Sequence, residues 1–434
     1  MSFTVQAINV ALAVLAIWLL KKVTEKKPLG RPIPGPKGWP IIGNLFDVPT
    51  ENEYKVFTRW KHKYGDLIQL TVFGRSTIVI NSRQLALDMF SKKSALYSSR
   101  PHLTMACDLV GWKDALVLLK YNDRFKSFRR MFHTVVGTRV NVDRFRETLE
   151  EEAALLVRRL LDDRGFDGPV RKAVGAIILR ISHGYRPKPD NDPMVRIADQ
   201  ATDHLNLILS PGRFLVDVFP FLRFIPEWLP GGGVHKVARE MKHTLIDLTN
   251  QSYQFAEDQI AKGTAVPSFV STMLDGRKVS PEEEHEIKWA ASSLYTGGAD
   301  TPVLATASFL LAMTMHPDIQ KKAQAELDAV VGNDRLPTLG DRDSLPYLNT
   351  MIKEAIRWGP TTPLGAPHCI EQDDVHEGYF IPKGSIVMAN IWWFMHDPEV
   401  YKNPMKFDPE RLIAKPGKPA ELDPFEYAFG YGRR

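Results

Sequence analysis

Cysteine is almost missing from this chain: Cys107 and Cys369 are the only two in 434 residues. They lie far apart and in no zinc-like spacing. That leaves no disulfide framework and suits a reducing compartment. No internal repeat or long low-complexity tract is visible, so solenoids and propellers are set aside. Charge of one sign is also lacking, with 56 Lys and Arg against 51 Asp and Glu and a net charge of +5. No basic run is dense enough to suggest a nucleic-acid partner. No linker divides the middle of the chain. What is present is a 44% apolar composition, enough to bury a sizeable core.

One long uncharged run stands out at residues 3–20, followed by Lys21, Lys22, Lys26 and Lys27. It is just long enough for a tilted span, and the lysines behind it put the rest of the chain in the cytosol. The alternative is a cleaved signal peptide. The charges follow the apolar run instead of preceding it, which favours a retained anchor. Pro28, Pro32, Pro34 and Pro36 then make a stiff, extended spacer. The expected organisation is an anchor at 1–20, a basic and proline-rich hinge at 21–40, and one body at 41–434.

Helical periodicity dominates that body, with two short hairpins, so the fold class is mainly α with small β-sheets. Helices are expected at 51–64, 82–91, 142–161, 170–185, 194–209, 235–260, 319–331 and 345–358. Strands 67–73 and 76–80 form one hairpin, and 379–381 with 385–389 a second. Residues 97–120 read as a long surface or pocket loop. The stretch 124–133 carries Arg124, Lys126, Arg129 and Arg130 among phenylalanines. It is either a solvated basic face or an anion site. Residues 211–233 gather Phe214, Phe219, Phe221, Phe224 and Trp228 among prolines. They form either a buried loop or a second membrane contact.

The central stretch is 281–315. Ser280, Pro281 and Glu283 read as a capping box with proline at the first helical position. A helix to the His316-Pro317 stop would run roughly 50 Å. Its last turns (Phe309, Leu310, Leu311, Met313, Met315) are expected to be buried. Its middle, Gly297-Gly298-Ala299-Asp300-Thr301-Pro302, breaks helical rules. Pro302 cannot donate to the carbonyl of Gly298, and Thr301 can bond the carbonyl four residues back. This is either a tolerated kink, a break between two helices, or a groove with a carboxylate and a hydroxyl beside it.

Glu354 and Arg357 lie three apart on the helix at 345–358 and can pair; read alone, such a pair is an exposed one worth little. Phe407-Asp408-Pro409-Glu410-Arg411 and the closing Phe429-Gly430-Tyr431-Gly432-Arg433-Arg434 sit in a coil rich in Pro and Gly.

Taken in series, the hinge, Gly298-Ala299-Asp300-Thr301, Glu354-Ala355-Ile356-Arg357, residues 407–411 and residues 429–434 resemble the cytochrome P-450 superfamily, the haem-thiolate monooxygenases. The resemblance runs the length of the chain, and the details are similar to microsomal fungal members. It implies a fold with a long kinked helix over haem. Asp300 and Thr301 would help deliver protons to oxygen. Arg129, His368 and Arg434 would contact the haem propionates, and Glu354, Arg357 and Arg411 would form a buried tie. It further implies an endoplasmic-reticulum membrane location, an NADPH-dependent reductase partner and a small apolar substrate.

The chain departs from the family pattern in four places. Phe125 stands where a tryptophan usually donates to a propionate, and Lys126 replaces a frequent arginine. Cys369 stands where many relatives have arginine. The family signature continues beyond Arg434 with one residue and then the iron-ligating cysteine, a position that neither Cys107 nor Cys369 matches. The helix that follows this cysteine in the family would cover the apolar end of the central helix. The expectation is therefore an incomplete C-terminal part and an inactive relative that binds haem weakly or not at all. The alternative is an active monooxygenase if the chain continues. Haem held by a substitute histidine has no candidate at a matching spacing.

Overall fold

The computed structural model describes residues 29–162, 165–189 and 191–433. The expected anchor at 1–20, the first part of the hinge and Arg434 lie outside the described residues. Among the described residues no helix is long and apolar enough to cross a membrane. The described residues divide into two compact units.

The first unit takes residues up to 98, 364–393 and 431–433. Helix α1 (Glu53–Tyr64) leads into strands β1 (Leu67–Val72) and β2 (Arg75–Ile80). These pair antiparallel, Leu67 opposite Ile80 and Val72 opposite Arg75. Phe73 and Gly74 both have positive φ, the requirement of the tight hairpin turn whose twist matches the strands. Strands β3 (His368–Cys369), β4 (Asp374–His376), β5 (Tyr379–Ile381) and β6 (Ile386–Ala389) follow.

The expected second hairpin does not form. Strand β5 pairs back with β4, and β6 instead runs parallel to β2, Thr77 opposite Ile386, in a sheet of order β1-β2-β6-β3. Ile78, Val79 and Ile80 are buried in succession, as a strand covered on both faces requires. The described end of the proline hinge is not a free spacer. Gln69 N–H donates to the Pro34 carbonyl at 2.8 Å, and a Cβ on Gly35 would stand 2.0 Å from the Gln69 oxygen.

The second unit, residues 99–363 and 394–430, is helical. Its main helices are α2 (Asp123–Val136), α3 (Arg146–Asp162), α4 (Asp167–His183), α5 (Pro193–Leu209) and α6 (Val234–Ala261). They continue as α7 (Pro281–Gly298), α8 (Thr301–Met315), α9 (Pro317–Val330) and α10 (Pro346–Trp358). Side-chain caps set several starts: Asn122 accepts from Phe125 N–H, and Asp192 from Met194 and Val195 N–H. Helix α7 packs against α2, α4 and α6. Phe125, Phe128 and Phe132 of α2 share one core with Phe269, Ile287 and Ala290. The 97–120 stretch is less irregular than expected, because Thr104–Val110 forms a mostly buried π-helix.

The stretch 281–315 is two helices, not one, with Ala299 and Asp300 between them at near-helical dihedrals. Ser280 Oγ accepts from Glu283 N–H at 3.2 Å, so the expected cap is present. The box is not closed, because the Glu283 carboxylate pairs with Arg277 instead. The expected burial of the last turns holds on one face only. Met313 packs with Tyr347, Met351 and Phe407, whereas Leu311 is 52% and Met315 56% exposed. The open face forms an apolar groove of about 520 Å³ lined by Leu304, Ala307, Leu311, Thr314, Pro360 and Pro363.

Candidate active site

The two glycines at the break between α7 and α8 have different causes. A Cβ on Gly298 would lie 2.7 Å from Ile178 Cδ1, so glycine is needed there for α4 to approach. A Cβ on Gly297 would meet nothing within 4 Å. Gly297 and Thr301 are one helical turn apart and both exposed, so they share an open face. Thr301 Oγ donates to the Gly297 carbonyl at 3.1 Å, the back-bond expected from the sequence. The open strip therefore carries a hydroxyl, a missing side chain and a bent backbone.

Asp300 points elsewhere. Its Oδ1 accepts from Arg171 Nη1 of α4 at 2.8 Å and its Oδ2 from Asn206 Nδ2 of α5 at 2.7 Å. It lines a polar cavity of about 180 Å³ with Arg171, Asp199, Thr202 and Tyr295. The Tyr295 hydroxyl donates to Asp199 at 3.4 Å, and burial raises the Tyr295 pKa. Neither Arg171 nor Asn206 had been singled out from the sequence. They lie 129 and 94 residues from Asp300, and nothing local marks them.

Glu354, Arg357 and Arg411 come together in the second unit. Glu354 and Arg357 are both wholly buried, which overturns the exposed-pair reading and agrees with the resemblance. Arg357 Nε and Nη2 donate to the two Glu354 oxygens at 2.7 and 2.8 Å, and its Nη1 donates to the Met395 carbonyl at 2.7 Å. Arg411 Nε reaches Glu354 Oε1 at 3.1 Å, and its Nη1 reaches Glu421 at 2.7 Å. Asp408 N–H donates to the same Glu354 oxygen. The Glu354 carboxylate thus ties α10 to residues 408–411, and Arg357 ties it to Met395. Glu421 was not anticipated from the sequence.

The three cations and donors expected around an anion fall in different surroundings. Arg129 of α2 is exposed and makes no salt bridge among the described residues. His368, in the first unit, is half-buried on β3. Its Nδ1 donates to the Tyr97 carbonyl at 2.7 Å, which fixes the tautomer, because a carbonyl oxygen only accepts. Nε2 is then an acceptor in the neutral ring and a donor only in the imidazolium. Tyr97 is held in turn, its hydroxyl donating to Asp374 at 2.7 Å while Lys93 pairs with the same carboxylate. Arg434 lies outside the described residues. Next to it, Arg433 Nε donates to Ser94 Oγ at 3.0 Å. A Cβ on Gly432 would strike the Phe90 carbonyl at 2.1 Å, so only glycine fits there.

Arg100 was passed over in the sequence. It is a buried guanidinium whose pKa desolvation lowers to about 10. Of the thiols, Cys107 is buried in the π-helix and burial pushes its pKa up to about 11, the opposite of an activated thiolate. Cys369 is half-buried on β3. Among the described residues, no group of three or more His, Cys, Asp or Glu is placed to hold a metal ion.

Comparison with known proteins identifies the family. A family profile described as Cytochrome P450 matches residues 33–434. "Cytochrome P450 monooxygenase 208" of Postia placenta is 48% identical over 97% of this chain and 83% of its own length. "Cytochrome P450 monooxygenase claR" of Ampulloclitocybe clavipes is 41% identical over 98% and 79%, and "Cytochrome P450 monooxygenase ppsD" of Aspergillus oryzae is 38% identical over 96% and 80%. A match of this extent, on a mainly helical fold with a broken central helix and a buried Glu-Arg-Arg cluster, makes the chain a member of the cytochrome P450 family.

Proposed function

We propose that this segment is the body of a monooxygenase that binds haem and inserts one oxygen atom into a small apolar molecule. The observation that carries the proposal is the open strip from Gly297 to Thr301, where a side chain is missing beside a hydroxyl. That strip fits a flat macrocycle lying against it. Arg129, exposed and uncommitted to any described carboxylate, fits a propionate. His368 fits one as the imidazolium, with Tyr97 fixing its ring, and Arg434 is the third cation we assign to this role.

When bound, haem supplies dioxygen activation at its iron. The chain's own part is proton handling and exclusion of water. The Thr301 hydroxyl, on leaving the Gly297 carbonyl, would turn to donate a hydrogen bond into the open strip while keeping its proton. Asp300 accepts protons arriving through the polar cavity and passes them on by leaving Arg171 and Asn206. Glu354, Arg357 and Arg411 touch no substrate; they hold α10 against the 395–411 segment.

Two surfaces support the partners. Arg130 and Lys126 on the exposed side of α2 suit an acidic electron-donating reductase. Between α5 and α6, Phe221, Phe224 and Trp228 are exposed, with the Arg223 guanidinium 4.8 Å from the Phe224 ring centre. An exposed aromatic cluster of this kind suits a membrane surface. That favours the membrane-contact alternative for 211–233 and an endoplasmic-reticulum membrane location.

Expressed as these 434 residues alone, the polypeptide offers only Cys107 and Cys369 as thiols. Neither is a suitable iron ligand, so this polypeptide is inactive in our reading. The test is the spectrum of the reduced protein under carbon monoxide. The 434-residue polypeptide should lack the red-shifted Soret band of thiolate ligation. A version extended with the cysteine segment of the Postia placenta relative should show it. The band in the 434-residue polypeptide would sink the inactivity. Its absence from the extended version, alongside native helix content, would sink the haem site.

A further inference from the structure

We infer that the cavity between the end of α4, the end of α6 and the turn 264–268 binds a small neutral hydroxyl compound, water or a short alcohol, which donates to His183 and accepts from Gln259. The site lies wholly in the second unit. No residue in it is assigned to haem, to the oxidised substrate or to the membrane.

The argument starts at the last residue of α4. His183 is 2% exposed. Its Nδ1 lies 2.8 Å from Ser182 Oγ, and Ser182 Oγ lies 2.6 Å from the Ile178 carbonyl oxygen. A carbonyl oxygen only accepts, so the single Ser182 hydroxyl proton goes to Ile178. Ser182 Oγ then accepts from the ring, which puts the proton of the neutral imidazole on Nδ1. Nε2 is left as a lone pair, buried and without a partner among the described residues. Burial keeps the ring neutral by lowering its pKa to about 3. A buried acceptor in this state is rare and calls for a donor.

His183 lines a cavity of about 80 Å³ with Gly184, Ala256, Gln259, Thr264 and Ser268. The hydroxyls of that wall are already committed. Ser268 and Ser271 cap the short helix Phe269–Leu274 reciprocally, and Thr264 Oγ1 donates to Gln259 Oε1 at 2.8 Å. With its oxygen taken, the Gln259 carboxamide has its NH2 to offer, and that group bonds none of the described residues. The wall therefore presents one acceptor and one donor with no protein partner.

These two groups select the guest. A hydroxyl both donates and accepts, which an ether or a hydrocarbon does not. Charge is excluded, because no wall residue carries one and an ion would lose its water without a counter-charge. Volume sets the upper bound. A cavity of about 150 Å³ takes benzene, and one water needs only about 10–15 Å³. The site therefore admits water or an alcohol of roughly two or three non-hydrogen atoms. Thr264 and Val266 at the rim are exposed, which gives a short way in.

The test is ¹⁵N-histidine NMR on the full chain, with H183Q identifying the His183 signals. In buffer, Nε2 should resonate as a neutral acceptor displaced upfield from the bare lone-pair position by a hydrogen bond. Methanol should shift it saturably if alcohol takes the site, and the bulkier tert-butanol should not. A displaced resonance that ignores methanol means that water alone is the guest, which also supports the site. The variant A256L fills the cavity and should return Nε2 to the bare position and abolish any methanol response, with circular dichroism checking its fold. A bare Nε2 in the parent at every methanol concentration would overturn the inference. So would a proton on Nε2, an equal response to both alcohols, or a folded A256L that keeps the parent's shift. The parent's own titration decides the matter if A256L fails to fold.

Discussion

Replacing Arg357 by alanine removes a guanidinium that is wholly buried and bonded to both oxygens of Glu354 and to the Met395 carbonyl. Glu354 is left wholly buried with Arg411 and the Asp408 N–H for partners. Breaking a buried ion pair from one side costs about 3–5 kcal/mol, because the remaining charge is stranded. Against a typical total of about 5–15 kcal/mol, that is a large share. Urea unfolding followed by far-ultraviolet circular dichroism should show the midpoint falling with an unchanged slope. R357K should recover only part of the loss, since an ammonium cannot make the two-pronged contact. E354Q should cost as much as R357A or more, because it leaves two buried guanidinium groups without their shared carboxylate. The reasoning is refuted if R357A costs less than about 1 kcal/mol, the value of an exposed pair.

Acid should act through His183. Burial lowers its pKa from 6.5 to about 3, so the folded state keeps the ring neutral while the unfolded chain protonates first. Stability is then full above pH 6.5 and is lost as pH falls toward about 3. The loss is at most roughly 5 kcal/mol at 1.36 kcal/mol per unit. H183Q should flatten that part of the curve in a pH series of thermal melts. At Phe125, which is buried in the α2 phenylalanine core, F125W should cost about 1–3 kcal/mol by overfilling, read as a lowered urea midpoint. An unchanged midpoint would refute the overfilling.

Local chemistry is what the sequence carries legibly. The Ser280 cap, the 67–80 hairpin and the helical stretches depend on neighbours a few residues away, and they form close to where the pattern puts them. The second hairpin fails for the same reason. Pro382-Lys383-Gly384 reads as a turn between paired strands, but β6 finds β2 from more than three hundred residues earlier. No local pattern encodes that parallel pairing. The spacing of Glu354 and Arg357 shows that they can meet, but not that residues 395–411 cover them. Asp300 and Thr301 were legible as an unusual pair, whereas Arg171 and Asn206, which decide where Asp300 points, were not. The end of α8 was misjudged because apolar composition signals a need for cover without naming what covers it.

The most direct measurement compares G297F with G298F in the polypeptide extended through the Postia placenta cysteine segment. Each is followed by haem titration at the Soret band and by thermal melting. A side chain at 297 enters open space, so G297F should melt like the parent and take up no haem. A side chain at 298 strikes Ile178, so G298F should lower the melting temperature. Haem uptake by G297F equal to that of the parent would contradict the placement of haem against the Gly297–Thr301 strip.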